Sequence, residues 1–235
     1  MNFLGNCDTK ISVEHFISDS ISHNQPALGA WWEDQKVDDL FPHAVGAKVL
    51  CRRHNSEFAH FDEVGKRVFE AITSGPDPTR ANVILVSGYD FERFLLQRLC
   101  AHHFGGIITI GGSRVSNHKL DTAALVQGFM MNSYEGGGLH LCRPPTYLNG
   151  IATQRTFEFA PILSPDGFVL GCRFTMWPVS FALMLRPFIN DRDLHIHGRH
   201  PFELIVGETA KTASHIIFTW QIPDSSGEIF HFVDM

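Results

Sequence analysis

The chain has no run of eighteen or more apolar residues, so it lacks the raw material of a transmembrane helix. Its first ten residues, MNFLGNCDTK, lack the basic start and apolar stretch of a secretory signal, and a cytoplasmic location is the default expectation. Cysteine is scarce: Cys7, Cys51, Cys100, Cys142 and Cys172 are odd in number and far apart. That makes a poor disulfide framework and fits a reducing compartment. Positive charge is also short. Lys and Arg number 19 against 25 Asp and Glu, for a net charge of −6, and residues 1–75 hold seven against eleven. Because phosphate binding draws on clustered cations, this balance disfavours tight nonspecific binding to nucleic acid. Only Lys48, Arg52 and Arg53 offer a small local patch. No low-complexity tract is present.

What remains is ordinary globular material, 44% hydrophobic and 19% charged, long enough for one large domain or two small ones. The clearest punctuation is TSGPDPTR at 73–80, where Pro76 and Pro78 forbid continuation of a helix. Upstream, residues 56–72 place Phe58, Phe61, Val64, Val68 and Ile72 three or four apart, the spacing of one helical face, with Ser56 available as its cap. Downstream, ANVILVSG (81–88) reads as a buried strand. The segment from Tyr89 to Gly106 reads as a helix with Asp90 near its start and Gly105 past its end. GGIITIGG reads as a short strand or buried turn, and residues 134–150 as a loop-rich segment. FEFAPIL and FVLGCRF flank SPDG, which is hairpin chemistry, and HIIFTWQI-PDSSG-EIFHFV repeats that plan. The expected class is α+β, with a module over 1–75 and a larger α+β domain rich in antiparallel strands over 76–235.

Two stretches carry chemistry: ISVEHFIS at 11–18 and VLCRRHNSEFAHFD at 49–62. Cys51-x2-His54 is a metal-ligand spacing on a tight knuckle at a helix start, and Cys7 lies ahead of Glu14–His15. Leu4 stands where a Cys-x2-Cys pair would place a second cysteine. The arrangement Cys…Glu-His…Leu-Cys-x2-His-Asn resembles the HNH (ββα-metal) endonucleases, especially their treble-clef branch, over the first third of the chain. The resemblance implies Glu14 as the acidic ligand of a catalytic Mg²⁺ or Mn²⁺, His15 as general base and Asn55 as a further ligand. It also implies Cys7, Cys51 and His54 at structural Zn²⁺ positions; with the second cysteine of the first knuckle missing, His43 and His60 are candidates to complete the set. Nucleic acid, DNA ahead of RNA, is the implied partner. Residues 76–235 are left for a homo-oligomer contact, a regulatory partner or substrate selection.

The chemistry suits those residue types. An oriented histidine has a pKa apt for deprotonating water near neutral pH, and a cation offsets charge developing on the phosphate. A carboxylate and an amide oxygen suit Mg²⁺ or Mn²⁺. Neighbouring residues on an ideal strand point to opposite faces, so Glu14 and His15 can serve one site only at a strand end or a bulge. The second reading is a zinc-stabilised binding module without catalysis. Elsewhere, His195, His197 and His200 in DLHIHGRHP lack a partner at diagnostic spacing, and His102–His103 fit a helix C-terminus, where histidine complements the dipole. Asp62 reads as a surface residue on the same helix as Asn55.

Overall fold

The computed structural model describes residues 5, 7–8, 10–15, 46–73, 81–105, 109–110, 113–114, 116, 118–131, 134, 137–146, 149, 157–187, 196–207, 212–220 and 229–232. The class is mixed α+β, with three helices among the described residues. Strands β1 (Ile11–His15) and β2 (Gly46–Cys51) pair antiparallel, Ile11 opposite Cys51 and His15 opposite Gly46, with a register irregularity between Ser12 and Glu14. Helix α1 (Arg52–Thr73) follows β2 without a gap, and the Arg52 N–H donates to the Lys10 carbonyl at 2.8 Å. The helix therefore starts four residues before the apolar spacing suggests. Ser56 lies inside it and is not its cap.

The predicted apolar face of α1 is the one that packs. Phe61, Val68, Phe69, Ala71 and Ile72 are buried, and Phe58 and Val64 pack against the same core. That core also contains residues from the whole stretch between Val86 and Phe218, so α1 and the elements beyond residue 80 share one apolar interior. Helix α2 (Gly88–Gly105) is its centre, with fourteen of its eighteen residues buried. A helix buried on every side has no need of an amphipathic pattern. It approaches α1 closely: a Cβ at Gly65 would meet the Phe94 ring at 2.5 Å.

Two sheets enclose α2. Between Gly105 and α3 the described residues form short strands, β4 (Thr109–Ile110) with β5 (Ser113–Arg114), and β6 (Lys119–Leu120). Helix α3 (Thr122–Met131) is capped by Asp121, whose Oδ1 accepts the Ala123 and Ala124 N–H groups at 3.0 and 3.2 Å. The larger sheet joins β7 (Gly138–Cys142), β8 (Phe157–Leu163), β9 (Phe168–Met176), β10 (Val179–Met184) and β11 (Ile196–Arg199) to β6, in the order β11-β7-β10-β9-β6 with β8 also on β9. The smaller sheet has the order β14-β12-β13-β3, from β3 (Asn82–Ser87), β12 (Glu203–Val206), β13 (Ser214–Thr219) and β14 (Ile229–Phe232).

The SPDG hairpin forms as expected: β8 and β9 pair antiparallel and Gly167 takes φ +80° in the turn. Three other expectations are corrected. HIIFTWQI and EIFHFV do not pair with each other. Both β13 and β14 flank β12, the first antiparallel and the second parallel. The loop-rich reading of 134–150 misses β7, a strand buried between β10 and β11. ANVILVSG is not a buried strand: β3 closes one end of its sheet, and Val83 and Leu85 are 59% and 57% exposed.

Candidate metal centre

Cys51 ends β2 and His54 lies in the first turn of α1, so the strand-to-helix turn folds the two side chains onto each other. Cys51 Sγ lies 3.2 Å from His54 Nδ1, and the His54 N–H points to the same sulfur at 3.5 Å. Cys7 arrives from ahead of β1 and sets its Sγ 3.6 Å from the same Nδ1. The three donor atoms lie within 4.8 Å of one another. Zn–S and Zn–N bonds of about 2.3 and 2.0 Å at a tetrahedral angle separate S from N by about 3.5 Å. The two sulfur–nitrogen distances, 3.2 and 3.6 Å, lie on either side of that separation, and the donor set is the soft one that zinc prefers.

The electrostatics favour a sulfur anion on Cys51. Burial pushes its thiol up, but N–H groups of His54, Asp8 and Arg53, with the Cys7 thiol, more than offset this and hold it below its ordinary range. Partial desolvation of its sulfur and the facing Cys51 push Cys7 the other way. The opposite shifts of these facing thiols suit a pair of ligands that lose protons on binding a cation.

Of the residues read as a site, Cys7, Cys51 and His54 converge. Asn55 is half-buried on the first turn of α1. Glu14 and His15 end β1 opposite Ala47 and Gly46, immediately after the register irregularity; their side chains lie outside the described residues, as does His43. Four residues of strand, roughly 13 Å, separate His15 from the position opposite Cys51. His60 does not complete the cluster: it is exposed and its Nδ1 lies 2.9 Å from the Glu57 carbonyl. In the small basic patch Arg52 is exposed, while Arg53 is tied to Glu57 at 2.7 Å. Asp62 is not a plain surface residue. Its carboxylate lies 3.2 Å from the guanidinium of Arg98, which is wholly buried on α2.

The other histidines divide. His197 is exposed and His195 lies outside the described residues. His200 is buried at φ +50°, with its Nε2 3.2 Å from Glu92 Oε1 and its ring stacked on Trp220 at 4.2 Å. The same Glu92 oxygen accepts the Leu139 N–H at 2.5 Å. This buried pair pins α2 to β7 and to the turn after β11. Sequence reasoning missed Glu92, because its partner lies 108 residues away. His102 and His103 do end a helix, but burial pushes both imidazoles below their ordinary range, so neutral rings replace the charge–dipole contact expected there.

The chain matches no known family, and no curated protein or solved structure matches it either. Among the described residues, no helix is long and apolar enough to cross a membrane.

Proposed function

We propose that the chain is a metal-dependent endonuclease of the HNH type, hydrolysing phosphodiester bonds of nucleic acid, with DNA favoured over RNA. The observation that carries the reading is the convergence of Cys7, Cys51 and His54 at the junction of β2 and α1. Zinc held there would tie the segment before β1 to the start of the helix, fixing a strand–strand–helix unit on which Glu14, His15 and Asn55 all sit. Glu14 and His15 end β1, and a strand end is where adjacent side chains can address one site.

In this reading the His15 imidazole takes a proton from the attacking water, and the Glu14 carboxylate and Asn55 amide oxygen would hold a hard divalent cation. Mg²⁺ or Mn²⁺ so bound would offset the negative charge that develops on the phosphate and the leaving oxygen. The exposed Arg52 offers a phosphate contact beside the helix start. Elements from residues 76–235 would select substrate or mediate assembly, and the exposed Val83 and Leu85 on β3 are among the apolar residues available for contact with a second copy or a regulatory partner.

The second reading, a zinc-stabilised binding module for nucleic acid or protein without catalysis, is favoured by one specific feature. The acidic balance of residues 1–75 and the Arg53–Glu57 pair leave few cations to grip a phosphate backbone. Cleavage of plasmid, linear duplex, single-stranded DNA and RNA with Mg²⁺ or Mn²⁺ separates the two. Activity lost in His15→Ala supports the nuclease; a folded, zinc-bearing protein that cleaves none of them supports the module.

A further inference from the structure

The metal cluster is also a pair of sulfurs placed to react with each other. Cys7 precedes β1 and Cys51 ends β2, and their sulfurs lie within 4.8 Å. A disulfide at about 2.05 Å asks them to close by less than about 3 Å. The approach is from one side: Cys7 is exposed while Cys51 is buried behind it. Cys100, Cys142 and Cys172 are buried and wholly inaccessible, so an oxidant in solution meets this pair first. Among the described residues the cluster supplies three donors, one fewer than the closed tetrahedron of a structural zinc site. The exposed sulfur of Cys7 gives a reagent in solution access to the pair.

We propose that ligation of zinc by Cys7, Cys51 and His54 and a Cys7–Cys51 disulfide are alternative states of one site, so that oxidation by a peroxide releases the metal and reduction restores it. The inference rests on the metal-centre reading above and concerns its regulation. The chemistry balances. One thiolate attacks the peroxide: an S–O bond forms, the O–O bond breaks and hydroxide departs, leaving a sulfenic acid. The second thiolate attacks that sulfur: the S–S bond forms and the S–O bond breaks, expelling a second hydroxide. Two electrons pass from the sulfurs to the peroxide, and two solvent protons convert both hydroxides to water. With both sulfurs committed to each other, His54 alone cannot retain the ion. The disulfide keeps Cys7 on Cys51 but frees His54, and with it the first turn of α1, which carries Asn55. A thiol reductant returns the pair to ligating form by exchange.

The test uses the full chain, reduced and loaded with zinc. Hydrogen peroxide is titrated in while released zinc is followed with a chromogenic chelator and the thiols are mapped by peptide mass spectrometry. The expected result is zinc release in step with a Cys7–Cys51 linkage and recapture of zinc after dithiothreitol. Cys7→Ala should form no linkage at Cys51 under the same treatment. Retention of zinc by protein carrying the disulfide overturns the proposal. So does zinc loss with both sulfurs mapped as sulfinic acids and no linkage, and so does a reduced protein that binds no zinc. Plasmid cleavage is measured on the same samples. Protein that cleaves nothing yet shows the exchange supports this proposal and removes the nuclease reading. Protein that cleaves DNA but keeps its zinc under peroxide does the reverse.

Discussion

Adding zinc to the reduced, metal-stripped protein should raise its thermal midpoint, and removing one sulfur should abolish the gain. The three donors converge only in the folded chain, because Cys7 is 44 residues from Cys51 and is brought to it by the β1–β2 pairing. An ion bound by all three therefore favours the folded state alone. At free zinc a hundredfold above the dissociation constant, such linkage contributes about 2.7 kcal/mol. For a chain of this size each kcal/mol moves the midpoint by about 2–4 °C, so the expected rise is roughly 5–10 °C. Differential scanning calorimetry in zinc and in chelator measures it directly. Cys7→Ser should lose most of the rise, since the remaining Cys51–His54 knuckle is local in sequence and can bind without the fold. Equal midpoints in zinc and chelator would refute the reasoning, as would a Cys7→Ser protein with the full wild-type response.

Gly138→Ala should destabilise the protein by roughly 1–3 kcal/mol in urea unfolding, because the site has φ +102° and a Cβ would meet His200 Nε2 at 2.7 Å and Glu92 Oε1 at 2.9 Å. Unchanged stability would show that the Glu92–His200 contact is not tightly held. Asp62→Ala leaves the buried Arg98 cation without this carboxylate and should cost about 3 kcal/mol, whereas adding Arg98→Met to it should recover part of the loss; a double variant worse than the single would contradict that. Burial, then Arg199 and His200, push the His140 imidazole down to about 4. The unfolded chain, with histidine near 6.5, then binds more protons than the folded one. Stability from this group is intact above pH 6.5 and falls as pH drops towards about 4, and His140→Gln should flatten that part of a urea-midpoint profile.

Local signals were legible in the sequence and long-range ones were not. The apolar spacing of α1, the extent of α2 and the SPDG hairpin each depend on residues within a few positions of one another. The knuckle at Cys51 and His54 was visible for the same reason. β7 hid behind Tyr134–Gly138, where three glycines suggest a loop, yet Leu139 and Leu141 fill the core between strands that come much later. The pairing of β13 and β14 through β12 overrode a plausible local turn, since a sheet rewards whichever strand order buries Leu204, Ile216 and Phe218 together. The role of Asp62 depended on Arg98, a charge whose burial no local pattern announces. The spacing of Cys7 carries no signal alone; only the β1–β2 register brings it to His54.

The most direct test of the central claim is cleavage of supercoiled plasmid in Mg²⁺ or Mn²⁺ by wild type and His15→Ala, each shown to be folded and to carry equal zinc. The account predicts nicking and linearisation by wild type and a loss of rate of about 10²–10⁴ in the variant, the contribution of a positioned general base. Wild-type cleavage that persists undiminished in His15→Ala would contradict it.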